Sequence, residues 1–332
     1  LLMPHDKSPI LSRSKIDLSI KIGNPNNPEG ILELYNPIIS APMESISSYA
    51  MLSAISEAGS IGMTCRSESI DTKIKKSIDI NFNRVGVSIN IADIYDGSSI
   101  DKIVSSGIKI ILLDVANGHL KLVADAISDL RKMVPNSLHI MCGNVSSYGA
   151  YKMLMDSGAD SVRVGIGGGA ACTTRVMTGF GAPTLSSVMS IYDYVKNDPV
   201  NGIIADGGIK NSGDIVKALG AGASAVMLGS MLAGHDECDS VDGKYYLSGL
   251  ASKEYILKER NIDKKDNVII SFEGVTGEVS PKGPALQGIY NILNNVRSAF
   301  TYAGSDNIKG LQDTVEYIKV SPQSMKESGS RI

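Results

Sequence analysis

The chain of 332 residues has no tryptophan and only 4 phenylalanines, so any core it builds must be aliphatic. Its 4 cysteines (Cys65, Cys142, Cys172 and Cys238) are widely spaced and form no C-x-x-C pair. A chain long enough to bury its own core has no need of a disulfide framework. The 4 histidines never recur as H-x-x-x-H, which argues against a zinc site. Apolar runs such as Ile110–Leu113 fall far short of the ~20 residues a membrane helix requires. The opening Leu-Leu-Met-Pro-His-Asp lacks the charged-then-apolar order of a secretion signal. Charge is balanced, 32 basic against 35 acidic residues, with no basic stripe, so neither nucleic acid nor a membrane is an expected partner. These exclusions leave a cytoplasmic enzyme of small-molecule metabolism as the leading class.

The pattern that is present is βα alternation. Short β-branched runs occur at Pro37–Pro42, Ser60–Thr64, Arg84–Asn90, Ile108–Ala116, His139–Val145, Ser161–Gly167, Gly202–Gly208 and Ala225–Met231. Most are continuously apolar, as expected of parallel strands covered on both faces. Amphipathic segments lie between them, at Tyr49–Glu57, Lys121–Val134, Tyr148–Met155, Leu185–Val195 and Asp214–Leu219. Gly59, Gly107, Gly158 and Gly222 stand where helices should end. Eight such units predict an α/β fold, a (β/α)8 TIM barrel. A doubly wound sheet is the alternative, weakened by the missing G-x-G-x-x-G after the first strand. The expected organisation is an N-terminal segment (1–36) and one catalytic barrel domain (37–332). The barrel carries a long polar flap (232–283) and a C-terminal helix (284–304). An excursion of that length after the eighth strand would emerge on the active-site face.

Glycine is the compositional outlier, with 34 residues. Windows 165–181 and 202–234 hold 6 and 8 of them, at the ends of predicted strands six to eight. There they either make tight turns or let backbone approach a ligand. The first window reads Gly165-Ile-Gly-Gly-Gly-Ala-Ala-Cys172-Thr-Thr-Arg175. A thiol in that setting is a nucleophile facing the barrel mouth, or a small packed side chain. Cys65 and Cys142 read as packing residues, and Cys238, among Asp236, Glu237 and Asp239, as a solvated loop thiol. The second window contains Ala205-Asp206-Gly207-Gly208 and Leu228-Gly229-Ser230-Met231. Asp206 suits ribose hydroxyls, or alternatively caps the next helix. The glycines and Ser230 suit a phosphate.

In order along the chain, these motifs resemble the IMP dehydrogenase/GMP reductase family. The resemblance runs from Pro37-Ile-Ile-Ser-Ala-Pro-Met43 to Arg297-Ser298 and Tyr302. The segments Leu113-Asp-Val-Ala-Asn-Gly118, Leu232-Ala-Gly-His-Asp-Glu237, Thr184-Leu-Ser-Ser-Val188 and Thr301-Tyr302 lean toward GMP reductases. Glu273-Gly-Val-Thr-Gly277 and Lys282-Gly-Pro284 resemble the dehydrogenase form. The flap shows Arg260-Asn261 where dehydrogenases place an Arg-Tyr pair that activates water. The sequence leaves no room for the CBS domains inserted in most dehydrogenases.

The resemblance implies NADPH-dependent reductive deamination of GMP or dGMP to IMP or dIMP and ammonia. NADH or NAD stays open as cofactor. Cys172 would form a covalent thioimidate at C2 of the purine, while Thr174 and Glu273 move a proton to the leaving ammonia. Met43, Gly249, Leu250 and Ala251 are implied for the purine pocket. Asp206 is implied for ribose, and Gly207, Gly208, Gly229 and Ser230 for phosphate. Asp114, Ala116, Asn144 and Arg66 fall at the cofactor end. Carbonyls of Gly167, Gly169 and Cys172 match a potassium loop, and a homotetramer is implied. The alternatives are an IMP dehydrogenase without CBS domains (IMP and NAD to XMP), an enzyme of a modified or differently phosphorylated guanine substrate, and a non-catalytic nucleotide-binding relative.

Several positions depart from the family pattern. Ala170 and Leu247 replace hydroxyls on the phosphate, and Gly168 replaces a proline. Cys65-Arg66-Ser67-Glu68-Ser69 replaces H-K-x-x-S, and Met43-Glu44-Ser45 replaces Met-Asp-Thr. Each lost phosphate hydroxyl costs roughly 1–3 kcal/mol if the anion stays buried there.

Overall fold

The computed structural model describes residues 1–6, 8–10, 12–249, 252 and 273–327. A short hairpin of β1 (Ile20–Ile22) and β2 (Leu32–Leu34) comes first. Eight parallel strands follow: β3 (Ile38–Ser40), β4 (Gly62–Met63), β5 (Val85–Ile89), β6 (Ile110–Asp114), β7 (His139–Val145), β8 (Ser161–Val164), β9 (Ile203–Asp206) and β10 (Ala225–Leu228). Each pairs with its sequence neighbour, and β10 pairs with β3. Closure at the β3/β4 seam comes from Ile39 bridging Ile61, with Ser40 N donating to Ile61 O at 2.8 Å. The result is the predicted (β/α)8 barrel, and all eight predicted strands are present. The strands are buried on both faces, which is why they read as apolar runs.

The helices are α1 (Tyr49–Glu57), α2 (Ile70–Ile80), α3 (Ile91–Tyr95), α4 (Ser99–Ser105), α5 (Lys121–Met133), α6 (Tyr148–Asp156), α7 (Thr174–Thr178), a short turn in the loop after β8, α8 (Thr184–Val195), α9 (Ser212–Gly220), α10 (Ala285–Ala303) and α11 (Ile308–Thr314). Helix α5 shows the logic. Val123, Ala126, Ile127 and Leu130 recur at helical spacing and are all buried, while Arg131 and Lys132 sit in its last turn. Helix α10 packs on α9 and α1, the position of the eighth barrel helix. The long excursion is therefore inserted between β10 and its own helix. Its described part contains a three-stranded antiparallel sheet of β11 (Ser240–Val241), β12 (Lys244–Ser248) and β13 (Thr276–Val279). Leu250, Ala251 and Arg260-Asn261 lie outside the described residues.

One expectation is corrected here. Cys238 is not solvated: it is buried, and Sγ donates to Leu232 O at 3.4 Å. Burial pushes this thiol up from its ordinary value.

The N-terminal segment closes the bottom of the barrel. Asn24 Nδ2 donates to Met155 O and Ala159 O, and Gly30 O meets His139 Nδ1 at 2.7 Å. Because a carbonyl only accepts, Nδ1 carries the proton of the neutral ring and Nε2 accepts from Ser161 Oγ at 2.7 Å. Burial holds His139 below its ordinary value of 6.5. The unfolded chain therefore takes up a proton below about pH 6.5 that the folded chain refuses, and stability falls as pH drops. The slope from this group approaches about 1.4 kcal/mol per pH unit. Scanning calorimetry between pH 7.5 and 5.5 should show a falling Tm that His139→Gln flattens. An unchanged slope in that variant would assign the effect to other groups.

Candidate active site

The strand C-termini open into a cavity of about 350 Å³, within the size range of small-ligand sites. Every expected site residue among the described ones lines it. Met43 follows β3, Arg66 follows β4, and Asp114 with Ala116 ends β6. Asn144 comes from β7, Gly167, Gly169, Cys172 and Thr174 from the loop after β8, and Asp206, Gly207 and Gly208 from the end of β9. Gly229 and Ser230 follow β10. Gly249 and Glu273 cross over the mouth.

Cys172 is half-buried on the cavity wall, and its Sγ donates to Thr174 Oγ1 at 3.1 Å. Backbone pairing fixes its loop. Cys172 N donates to Gly169 O at 3.1 Å, Thr173 N to Glu273 O at 2.8 Å, and Val275 N to Ala171 O at 3.0 Å. The flap-return segment is thus stitched directly to the cysteine loop, which brings Glu273 to Thr173, 100 positions earlier in the chain, only through folding. Leu247, 6% exposed on β12, and Ala170 present no hydroxyl to the cavity they line.

At the end of β9, Asp206 Oδ2 accepts from Asn144 Nδ2 at 2.8 Å and from Arg163 Nε and Nη2 at 3.0 and 2.8 Å. The next helix, α9, is capped by Asn211, whose side chain accepts from Asp214 N. The helix-cap alternative for Asp206 is thereby removed. Arg163 Nη1 also donates to Asp114 Oδ1. Burial pulls Arg163 down, but the Asp206 and Asp114 carboxylates outweigh it and the net shift is upward. Arg163 is the functional-site residue that the sequence reading missed. Its signal was a charge inside an otherwise apolar strand, a placement that requires buried partners. Room for it comes from Gly143 on β7, where an added Cβ would lie 2.6 Å from Arg163 Cβ.

Asp114 Oδ2 is buried and has no hydrogen-bond partner among the described residues. Arg66 Nη1 stands 3.8 Å from it, and both residues line the cavity, so a hydroxyl or amide donor of a ligand such as a nicotinamide dinucleotide fits beside this pair. In the cysteine loop, Gly169 O accepts once, from Cys172 N, and Arg175 Nη2 donates to Ile166 O and Ala182 O nearby.

A closed barrel whose glycine-rich mouth holds a thiol and two ion-paired carboxylates around one cavity has the architecture of a barrel enzyme with a small-ligand site. The profile of the IMP dehydrogenase / GMP reductase domain matches residues 1–331. The chain belongs to this family of oxidoreductases of purine nucleotides. Curated relatives include the inosine-5'-monophosphate dehydrogenases of Rhizobium tropici (35% identical, covering 74% of this chain and 51% of that protein) and Bacillus subtilis strain 168 (36%, 69% and 48%). That of Aquifex aeolicus is 34% identical over 74% of this chain and 51% of its own length. The chain thus spans about half the length of the curated relatives it matches. Their names shift the balance from the reductase reading of the sequence toward the dehydrogenase alternative. Among the described residues, no helix is long and apolar enough to cross a membrane.

Proposed function

We propose that this chain carries out hydride transfer at C2 of a purine nucleoside monophosphate, oxidising IMP to XMP with NAD. The observation that carries the reading is the Cys172 thiol, bonded to Thr174 in the cavity and stitched to the Glu273 strand. The oxidative direction is supported by the named relatives and by Glu273-Gly-Val-Thr-Gly277.

In this reading Cys172 Sγ bonds to C2 of the purine. The nicotinamide dinucleotide supplies the hydride acceptor, with Asp114, Ala116, Asn144 and Arg66 holding it. Loss of hydride from C2 leaves a thioimidate on Cys172. Water then adds at C2, the S–C2 bond breaks, and XMP leaves with the thiol restored. Thr174 and Glu273 relay the water's proton. Asp206 holds ribose through Oδ1. Gly207, Gly208, Gly229 and Ser230 hold phosphate without the help of Ala170 or Leu247. Met43 and Gly249 border the base, with Leu250 and Ala251 assigned there from sequence. A monovalent cation on the Gly167, Gly169 and Cys172 carbonyls and a homotetramer belong to the same proposal, as does a single barrel domain bearing the 232–283 flap.

A second direction is favoured by Leu113-Asp-Val-Ala-Asn-Gly118 and by Asn261 in place of the flap tyrosine. This is NADPH-dependent reduction of GMP or dGMP. The same thiol adds at C2, Glu273 and Thr174 protonate the departing ammonia, and hydride enters C2 as the S–C2 bond breaks to release IMP or dIMP. One paired assay separates the two. Nicotinamide absorbance rises with IMP and NAD in the first case and falls with GMP or dGMP and NADPH in the second. No change in any pairing would leave only nucleotide binding.

A further inference from the structure

Four ionic side chains cross the barrel mouth as an alternating string, Arg66, Asp114, Arg163 and Asp206. Arg66 Nη1 donates to the backbone Asp114 O at 3.2 Å and stands 3.8 Å from Asp114 Oδ2. Arg163 sits between the two carboxylates, with side-chain exposures of 7% for Arg163, 4% for Asp114 and 13% for Asp206. It takes Oδ1 of Asp114 and Oδ2 of Asp206. The other oxygen of each carboxylate is not held by Arg163. Asp114 Oδ2 is buried without a hydrogen-bond partner among the described residues, and the described hydrogen bonds of the Asp206 carboxylate all fall on Oδ2. One guanidinium thus fixes the rotation of two carboxylates of cavity-lining residues that stand 92 residues apart in sequence.

We infer that Arg163 is a positioning residue shared by the nucleotide half and the dinucleotide half of the cavity. The assignment of Asp206 to ribose and Asp114 to the dinucleotide rests on the proposed function. A carboxylate turns freely about its Cβ–Cγ bond unless one oxygen is held. A planar guanidinium holds two such groups at once because its donors are set at fixed angles. Lysine keeps the charge but offers no planar fork, so it fixes the rotation of neither carboxylate.

The test is equilibrium binding by calorimetry, with IMP or GMP as one probe and NADH or NADPH as the other. Wild-type binding is measured first. If wild type binds neither probe, the proposed function fails and the roles of Asp114 and Asp206 fall with it. Given wild-type binding, Asp206→Asn should weaken the nucleotide alone, and Asp114→Asn the dinucleotide alone. Arg163→Lys should raise both dissociation constants by about tenfold or more. In the Asp114→Asn background it should no longer affect the dinucleotide yet still weaken the nucleotide, a non-additivity that general loosening of the fold does not produce. If Arg163→Lys does not fold, Arg163→Gln with Asp114→Asn removes one charge of each sign. That pair should still weaken nucleotide binding about tenfold, whereas Asp114→Asn alone leaves it within twofold. A nucleotide constant within twofold of wild type in either Arg163 variant, or strictly additive effects, would overturn the shared role.

Discussion

Cys172→Ala is expected to lower kcat by at least roughly 10⁴-fold while leaving the nucleotide dissociation constant within about threefold. The large effect follows from the covalent route. Without Sγ, C2 has no nucleophile that can be held within bonding distance and later expelled. The small effect on binding follows from exposure, since Cys172 is half-buried on the cavity wall and its removal vacates no packed core site. Stopped-flow absorbance and calorimetry measure the two quantities. Full activity in this variant would end the thioimidate mechanism. The same geometry predicts selective alkylation. Cys65, Cys142 and Cys238 are buried, and burial pushes Cys142 and Cys238 up. One equivalent of a thiol reagent should therefore silence the enzyme, and bound nucleotide should protect it.

The barrel was legible because parallel strands covered on both faces leave unbroken apolar runs, and eight of them at regular spacing admit few folds. Helix α5 was equally plain, since its buried face follows the 3.6-residue period. Helix α2 was not, because its inward side includes Lys73, fully buried with Nζ on Arg66 O at 2.8 Å, and Ser77, which binds Val85 O. Polar residues on a buried face erase the period on which the reading depends. The β1–β2 hairpin has three-residue strands, too short to alternate visibly.

Within the site, the concentration of glycine and the lone Cys172 point to the mouth from the sequence alone. Arg163 did not, because its meaning depends on Asp114 and Asp206, which only the closed barrel brings to it. The small sheet of the excursion escaped for a related reason. Leu247 pairs with Gly277 across 30 residues, and no local pattern records such a register.

Gly165→Ala should be the most damaging single-atom addition at the site. Gly165 follows the last residue of β8 with φ +143, a conformation that side chains rarely adopt. Its added Cβ would stand 2.0 Å from Asp206 O and 2.9 Å from Thr184 Oγ1. A backbone oxygen cannot swing aside as a flexible side chain can, so the ends of β8 and β9 must separate. That movement drags the Cys172 loop away from Asp206, and it strains Gly165 O, which accepts from Asn144 Nδ2 at 2.8 Å. Strain and overpacking together should cost about 3 kcal/mol or more. For a chain of 332 residues that is a Tm loss of roughly 4 °C or more. Nucleotide binding should weaken as well, because Asp206 and the cysteine loop no longer hold their separation. The control is Gly149→Ala in α6, where an added Cβ meets nothing within 4 Å. There the change removes only unfolded-state freedom and should raise stability by about 0.5 kcal/mol. Calorimetric melting of both variants, with nucleotide binding measured on each, gives the comparison. Equal melting temperatures would mean that the β8 and β9 ends yield without resistance, and the rigid spacing between Cys172 and Asp206 would then have another source.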